Sequence, residues 1–269
     1  MHDLVIVGAG PAGMAAALGV AEAGFSVAVV DEQARAGGQI FRRPPEAWGE
    51  RHGTYRPYPW ARDLIERFED HPRIEAHFRS TAFGVLRDRE GSETAALEVA
   101  VSTPAGGRKL RARRLLLATG AYDMPVAFPG WTLPGVMTAG AVQSLMKSQK
   151  LLAGKRIVLA GSHPIQLILA GQLLDAGAEI VEIALARDMP SLIEMVQSLP
   201  AIPGHVSIFS EGLRALATIA RHRVPISRRT VVSEAVSKDN ALEVRLSRVD
   251  SDWKKTGADH TVKADALAL

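Results

Sequence analysis

The sequence predicts an α/β protein with two Rossmann-like dinucleotide-binding units in tandem, and three observations lead to this fold class. A short apolar run, residues 4–7, leads into the glycine-rich segment 8–13, and an alanine-rich helical stretch follows it. The same order of elements returns in the second half of the chain, from residue 156 onward. Each half later contains three strand-like segments in a meander pattern. This alternation is typical of doubly wound parallel sheets.

The glycine-rich segment is the most specific motif of the chain. Segment 8–13 reads Gly-Ala-Gly-Pro-Ala-Gly and follows the uncharged strand 4–7. Gly8 allows a tight turn, Gly10 lets the backbone approach a pyrophosphate, and Gly13 lets helix and strand pack closely. The sequence predicts both the strand and the helix that the motif requires, which favours a nucleotide site over an ordinary turn.

The elements after this motif complete a strand–turn–helix–strand unit. We expect a helix over residues 14–23 that ends at Gly24 and directs its N-terminal N–H groups at phosphates. A second buried strand is predicted over Val27–Val30. It runs directly into Asp31, where a carboxylate can accept the hydroxyl groups of a ribose.

Length and composition indicate a globular enzyme. A chain of 269 residues suggests two domains, and a net charge of +3 is too small to indicate nucleic-acid binding. We interpret the basic residues between 108 and 114 as a solvated sheet edge. No apolar run is long enough to cross a membrane, and the N-terminus is already a strand. The absence of cysteine excludes disulfides and thiolate catalysis, and it weakly suggests a cytoplasmic location. No metal site is predicted.

An internal repeat organises the chain. When Gly8 is aligned with Gly161, Ala17 falls on Ala170 and Gly24 falls on Gly177. The predicted meander strands are 81–86, 95–102 and 110–117 in the first half, and 230–236, 241–248 and 261–269 in the second.

The two copies differ at the positions that would bind a nucleotide. In the second copy His163 replaces the middle glycine, Gln166 replaces the third, and Ala184 stands at the position of the acid. A Cβ at His163 hinders the approach of backbone to a pyrophosphate. Either the second copy binds a dinucleotide weakly or not at all, or it binds something by a modified mode that uses His163.

Several stretches together resemble a flavoprotein family. Segment 37–45 reads GGQIFRRPP, segment 115–120 reads LLLATG, and segment 128–140 reads FPGWTLPGVMTAG. With the glycine motif, they are similar to the glutathione-reductase-like proteins that have two dinucleotide domains. Within that family they resemble the flavin subunits of bacterial amine and imino-acid dehydrogenases, a group with opine oxidase, hydrogen cyanide synthase, and proline and hydroxyproline dehydrogenases.

This resemblance implies an FAD-binding domain over residues 1–125 and an NAD(P)-type domain over residues 126–269. NAD(P) itself remains doubtful, because of the substitutions in the second copy. The resemblance, together with the motif, implies the following FAD-binding residues: Gly8, Gly10, Pro11, Ala12, Gly13, Asp31, Glu32, Gly38, Gln39, Arg42, Ala118, Thr119 and Gly120.

The resemblance also implies a function. We expect an FAD-dependent oxidoreductase subunit that oxidises an amine, imino acid or opine and passes electrons to a partner subunit or acceptor. The alternatives are an NAD(P)H-dependent flavin reductase and, in a different class, a non-catalytic or defunct FAD-binding fragment. The sequence identifies no catalytic residue. Without cysteine, no internal disulfide can take electrons from the flavin, as the disulfide reductases of this fold require.

The repeat also suggests that the FAD domain is incomplete. The position in the second copy that corresponds to Gly120 would lie beyond Leu269. In the resembled family the chain then returns to the FAD domain and completes its sheet. We therefore expect a C-terminally truncated chain with an exposed apolar edge on the first domain.

Overall fold

A computed structural model describes residues 1–48, 58–87, 96–189, 194, 197, 199–201 and 203–269. The chain divides into two compact units, unit 1 (Met1–Ala121) and unit 2 (Tyr122–Leu269). The boundary predicted from the sequence lies a few residues further on, at residue 125.

Unit 1 is built on one mixed sheet. Its elements are β1 (His2–Val7), α1 (Pro11–Glu22), β2 (Val27–Val30), α2 (Ala61–Asp70), β3 (Ile74–His77), β4 (Thr81–Arg87), β5 (Leu97–Thr103) and β6 (Gly106–Leu117), with a short 3-10 turn at Glu46–Trp48. The strand order is β3-β2-β1-β6-β5-β4. The first four strands in this order are parallel, and β6, β5 and β4 form the antiparallel meander. Residue 95, predicted to begin a meander strand, lies outside the described residues.

The helix of the glycine motif begins earlier than predicted. The structure starts α1 at Pro11 rather than at residue 14, because a proline ring presets a helical φ and removes an N–H that the first turn leaves unbonded. Gly24 follows the helix with φ +94°, as a helix stop requires. Strand β2 has the predicted bounds.

Strand β6 belongs to both halves of the unit 1 sheet. Residues 106–112 pair with β5, and residues 112–117 pair with β1. The meander and the parallel strands are therefore continuous. Along residues 113–117, none of the strands within the described residues pairs with β6 on the side away from β1. Leu117, at the end of this edge, is 66% exposed.

The interpretation of the basic cluster as a sheet edge holds for only part of it. Residues 108–112 of β6 pair with β5, whereas residues 113 and 114 lie where none of the described strands covers β6 on the side away from β1. Because strand side chains alternate, Lys109, Arg111 and Arg113 share one face, where Lys109 contacts Glu98 at 2.9 Å and Arg113 contacts Asp3 at 3.5 Å, and Arg108 and Arg114 lie on the other face. Alternating polar residues on a half-exposed strand resemble an edge because strand neighbours are not visible in the sequence.

The core of unit 1 lies on both faces of the parallel strands. Alternate residues of β2 serve the two faces, because strand side chains alternate. Val27 and Val29 pack beside α1 and α2, and Ala28 and Val30 pack beside the meander. These four residues are fully buried, which explains the uninterrupted apolar run.

Unit 2 repeats this plan with two separate sheets. Its elements are β7 (Val136–Met137), α3 (Ala139–Gln149), β8 (Arg156–Gly161), α4 (Ile165–Asp175), β9 (Glu179–Leu185), α5 (Val206–Arg221), β10 (Ile226–Arg228), β11 (Thr230–Lys238), β12 (Ala241–Arg248), β13 (His260–Ala264) and β14 (Ala266–Ala268), with a 3-10 turn at Leu199–Ala201. The parallel sheet has the order β10-β9-β8-β14-β7, and the meander has the order β11-β12-β13.

The predicted single strand 261–269 is wrong, because the chain divides there between the two sheets. Strand β13 pairs with the meander and β14 pairs with β8, and Asp265 separates them. One carboxylate oxygen of Asp265 accepts hydrogen bonds from the backbone N–H groups of Lys155, at 3.1 Å, and Arg156, at 2.8 Å. These bonds connect positions about 110 residues apart, so the local sequence does not reveal them.

Strand β7 has no described equivalent in unit 1. It lies on the side of β14 away from β8, where the N–H of Leu267 donates to Gly135 and that of Leu269 donates to Met137. The corresponding side of β6 is the one that no described strand covers. The tandem Rossmann-like fold is confirmed, and unit 2 has the more complete parallel sheet within the described part of the chain.

A search for membrane spans covered the same described residues. None of the helices found there combines the length and the apolar character needed to cross a bilayer.

Candidate functional site

Two glycines of unit 1 pack the glycine loop against its neighbours. Gly8 has φ +107°, and a Cβ there would lie 2.3 Å from the carbonyl oxygen of Ala118. A Cβ on Gly13 would lie 1.8 Å from the carbonyl oxygen of Gly8. Both positions therefore require glycine for packing, as the motif predicts.

Gly10 has a different role, because space lies in front of it. A Cβ on Gly10 would have only the Cα of Gly38 within 4 Å, at 3.9 Å. Gly10 is the N-cap of α1 and offers no side-chain cap, and the first turn contains no acidic residue. The N–H groups at the start of α1 thus face a space that an anion can enter. These residues fit a dinucleotide pyrophosphate.

The segment after β2 folds back over this loop. The N–H of Gly37 donates to the carbonyl oxygen of Ala9 at 2.9 Å. A Cβ on Gly38 would lie 2.9 Å from the Cα of Gly10, so the two backbones approach this closely because residue 38 is glycine. Gln39 then donates from Nε2 to the carbonyl oxygen of Ala121 at 3.1 Å.

The two acidic residues after β2 have different surroundings. Asp31 is 8% exposed, and its carboxylate accepts hydrogen bonds from the N–H groups of Ala9, at 2.6 Å, and Gln33, at 2.7 Å. Glu32 is exposed, and its Oε1 accepts a hydrogen bond from Nε2 of Gln33 at 3.1 Å.

The small-residue segment 118–120 completes the group. The N–H of Ala118 donates to Val7 at 2.8 Å, which places this segment at the end of β1. Thr119 and Gly120 are exposed, and Gly120 has φ +70° with nothing within 4 Å of a Cβ. The structure therefore brings together the glycine loop, Asp31, segment 37–39 and segment 118–120.

Of the two arginines in segment 37–45, Arg43 is neither a surface charge nor a phosphate partner. Its side chain is 1% exposed and contacts Glu69 at 2.5 Å, and it also donates to the carbonyl oxygen of Ala36 at 3.0 Å. It anchors the segment to α2. Arg42 is half-buried, and its Nε has no hydrogen-bond partner in the described part of the chain. The sequence offers no signal for the role of Glu69, which lies on a highly charged helix.

Three of the titratable groups with shifted pKa values lie at strand ends. Burial lowers the pKa of His77, whose carbonyl oxygen accepts from the N–H of Asp31. Hydrogen bonds from Ser26 lower the pKa of Asp3. In unit 2, hydrogen bonds from Arg156 lower the pKa of Asp265.

The glycine loop of unit 2 is filled by its own side chains. Nδ1 of His163 accepts a hydrogen bond from the N–H of Ile165 at 3.1 Å, so the imidazole caps the start of α4. Gln166 is 3% exposed and donates from Nε2 to the carbonyl oxygen of Ala160 at 3.0 Å. A Cβ on Gly161 would lie 2.6 Å from this Nε2. His163 therefore takes an N–H at the start of α4, whereas the start of α1 has no side-chain cap, and Gln166 lies buried against Gly161.

The assignment of Ala184 to the acid position is off by one residue. The pairing of β8 with β9 shifts register after Ile157, so that Ala160 pairs with Ala184 where Val7 pairs with Val30 in unit 1. Leu185 is therefore the residue equivalent to Asp31. Neither residue can hydrogen-bond a ribose, so the conclusion drawn from Ala184 is unchanged.

The nearest acid in unit 2, Glu182, has other partners. It is 5% exposed, it accepts a hydrogen bond from the hydroxyl of Ser227, and its Oε2 lies 2.9 Å from Nε2 of His260. This carboxylate joins β9 to β10 and to the meander.

Comparison with known proteins agrees with this geometry. The family model of the pyridine nucleotide-disulphide oxidoreductases matches residues 2–267. The A subunit of opine oxidase from Agrobacterium tumefaciens is 32% identical over 82% of this chain and 44% of its own length. The HcnB subunit of hydrogen cyanide synthase from Pseudomonas protegens is 31% identical over 98% of this chain and 55% of its own length. The chain thus spans about half the length of these relatives.

The fold has a counterpart in a solved flavoprotein structure. The ornithine N-hydroxylase of Kutzneria sp. 744, solved with reduced FAD, NADP+ and L-ornithine, superposes with a TM-score of 0.65 at 14% identity, over 100% of this chain and 80% of that one. The chain belongs to the pyridine nucleotide-disulphide oxidoreductase family, and this membership indicates FAD as its cofactor.

Proposed function

We propose that unit 1 binds FAD and that the chain is the flavin-carrying part of an oxidoreductase acting on an amine, imino acid or opine. The open space at Gly10 is the observation that carries the proposal, because it leaves the N-terminus of α1 accessible to a pyrophosphate. The residues proposed to form the FAD site, by contact with the cofactor or by shaping the loops around it, are Gly8, Gly10, Pro11, Ala12, Gly13, Asp31, Glu32, Gly38, Gln39, Arg42, Ala118, Thr119 and Gly120.

The residues of unit 1 would bind and orient the cofactor. The start of α1 would stabilise the phosphate charges, and segments 37–39 and 118–120 are slim enough for the cofactor to lie against backbone. FAD, when bound, supplies an acceptor for a hydride from the carbon that carries the substrate nitrogen. The Arg43–Glu69 ion pair keeps segment 37–45 in place.

We propose that electrons leave through a partner and do not come from NAD(P)H. The loop of unit 2 supports this, because His163 stands at the position where a pyrophosphate needs glycine, and its imidazole already accepts the N–H of Ile165. An internal disulfide is excluded as the acceptor, since the chain contains no cysteine. The relatives, which are named as subunits of opine oxidase and of hydrogen cyanide synthase, support both a nitrogen-containing substrate and a partner protein.

A flavin titration followed by anaerobic reduction tests the proposal. We expect the purified chain to take up one FAD, with a visible flavin spectrum, and we expect NADH and NADPH to leave that spectrum oxidised. In the complex copurified with its partner protein, L-proline, sarcosine or an opine should bleach the flavin band. Bleaching by NADH would establish a flavin reductase instead, and a chain that takes up no FAD would be a non-catalytic fragment.

A further inference from the structure

The acid at the end of β2 is not placed for the ribose. The sequence motif assigns the ribose hydroxyls to Asp31, but this carboxylate is 8% exposed and each of its oxygens already accepts a backbone N–H. A ribose hydroxyl needs an acceptor that it can reach from the surface of the unit. Two of the about four acceptor sites of Asp31 are taken and the residue is buried, so a ribose reaches it less readily than it reaches an exposed carboxylate.

Asp31 instead joins three segments of the candidate site. Its Oδ2 holds the N–H of Ala9 at 2.6 Å, and the carbonyl oxygen of Ala9 accepts from the N–H of Gly37 at 2.9 Å. Both polar groups of Ala9 are thus bonded in the interior. The backbone of Asp31 is fixed as well, because its N–H donates to His77 and its carbonyl oxygen accepts from Ser80. The carboxylate of Asp31 therefore determines the path of the glycine loop.

Glu32, the next residue, has the properties that Asp31 lacks. It is exposed at the same end of β2, its side chain is one methylene longer, and its hydrogen bond to Gln33 is a surface contact. Water competes for the contacts of a side chain at such an exposed position, so they can exchange for a ligand hydroxyl.

We propose that Asp31 is a positioning residue that holds the glycine loop, and that Glu32 supplies the carboxylate that binds the adenosine ribose. This inference rests on the proposed binding of FAD by unit 1. It divides between two neighbouring acids the tasks that the sequence motif assigns to one.

Two isosteric variants and two cofactors test this division. Glu32→Gln and Asp31→Asn are titrated with FAD and with FAD whose adenosine lacks the 2′-hydroxyl. We expect Glu32→Gln to weaken FAD binding about tenfold and to have little effect on the deoxy analogue, since a charged hydrogen bond to a hydroxyl is lost. Asp31→Asn should weaken both cofactors to the same extent, because its amide group places a donor against a backbone donor.

Amide hydrogen exchange without any cofactor provides an independent readout. We expect faster exchange at Ala9 and in segment 10–13 of Asp31→Asn, and exchange like that of the wild-type chain in Glu32→Gln. Because Glu32 is exposed, we expect Glu32→Gln to fold, and its binding data test the role of Glu32 even if Asp31→Asn does not fold.

The outcomes separate this inference from the proposed function. The inference is overturned if Glu32→Gln binds both cofactors as the wild-type chain does, or if Asp31→Asn loses affinity only for FAD with its 2′-hydroxyl. A wild-type chain that binds neither cofactor would overturn the proposed function itself. In that case the exchange data alone would still decide the role of Asp31 in the loop.

Discussion

The two glycine loops follow equivalent strands and lead into equivalent helices. One leaves the start of its helix without a side-chain cap, and the other covers it with a side chain. In unit 1, Gly10 leaves the start of α1 uncovered. In unit 2, His163 caps the start of α4 and Gln166 fills the space behind it. Both units keep the strand–turn–helix geometry. We infer that this geometry alone does not make a pyrophosphate site, and that such a site also requires the absence of a side chain at the position of the middle glycine.

A second pair of equivalent positions forms an ion pair in both units, with the acidic and the basic residue in reversed order. In unit 1, Asp3 on β1 contacts Arg113 on β6 at 3.5 Å. In unit 2, Arg156 on β8 contacts Asp265, next to β14, at 2.9 Å. Strand pairing makes these positions equivalent, since Leu4 pairs with Arg114 as Ile157 pairs with Ala266. Both units thus place opposite charges at this position of the sheet, although the order of the acid and the base is reversed. For the ion pair, opposite charge matters more than which residue carries it.

The largest expected effect comes from giving unit 1 the loop residue of unit 2. Gly10→His places a side chain in the open space before α1, where the proposed pyrophosphate lies. We expect FAD binding to weaken about 100-fold or more, because both the access and the N–H donors are lost. Fluorescence titration with FAD measures the change.

A matched control for this variant lies in the same helix. Gly19 is exposed, and nothing lies within 4 Å of a Cβ there, so Gly19→His adds the same side chain away from the loop. It should bind FAD like the wild-type chain. Equal affinity of the Gly10→His variant and the control would refute the assignment of the pyrophosphate to this loop.

The loop of unit 2 should matter for stability and not for FAD. Gln166→Ala leaves the buried carbonyl oxygen of Ala160 without its partner, and we expect it to lower the free energy of unfolding by about 2 kcal/mol. His163→Ala removes an exposed cap and should cost about 1 kcal/mol. Urea unfolding gives both values. A loss of FAD affinity in either variant would contradict the separation of roles between the loops.

The two reversed ion pairs, Asp3–Arg113 and Arg156–Asp265, should differ in how much they contribute to the free energy of unfolding, measured with urea. Asp265→Asn removes the charge from the hydrogen bonds to two backbone N–H groups and turns an amide NH2 towards the guanidinium of Arg156, and we expect a loss of about 1 kcal/mol. Arg113→Gln removes only an exposed ion pair, so no measurable change is expected. A larger loss of unfolding free energy in Arg113→Gln than in Asp265→Asn would contradict the expectation that the backbone hydrogen bonds of Asp265 make the second pair the stronger one.

The smallest effect is a pH dependence at the Asp265 corner. Hydrogen bonds from Arg156 hold the pKa of Asp265 below its ordinary value of 3.8. The resulting stability is complete above that ordinary value and is lost as the pH falls through the lower pKa of the folded state. Urea unfolding measured from about pH 5 down to about pH 2 should therefore show a weaker acid dependence in Asp265→Asn than in the wild-type chain.

Much of the fold follows from local patterns, and the rest depends on distant contacts. Strand β2 could be predicted to the residue, because four buried apolar residues lie between a helix stop and an acid. The division of 261–269 into β13 and β14 could not, because it depends on bonds from Asp265 to the start of β8. The register shift that moves the acid position from Ala184 to Leu185 likewise appears only in the pairing of two strands.

The candidate site shows the same limit. The motif identifies the glycines because their requirement is local, a positive φ or a missing Cβ. It does not distinguish Asp31 from Glu32, and it does not reveal that Arg43 is buried against Glu69, since both depend on where the loop after β2 folds. The capping role of His163 could have been found from its place two residues before the start of α4.

The contact between Gly8 and the end of β6 also bears on kinetics. The carbonyl oxygen of Ala118 lies 2.3 Å from where a Cβ of Gly8 would be, and the N–H of Ala118 donates to the carbonyl oxygen of Val7. The glycine loop consequently cannot open without separating β1 from β6. The amide groups of the loop should therefore exchange with solvent only as slowly as those of the two strands, and their exchange should quicken steeply on heating, as the opening of folded segments does.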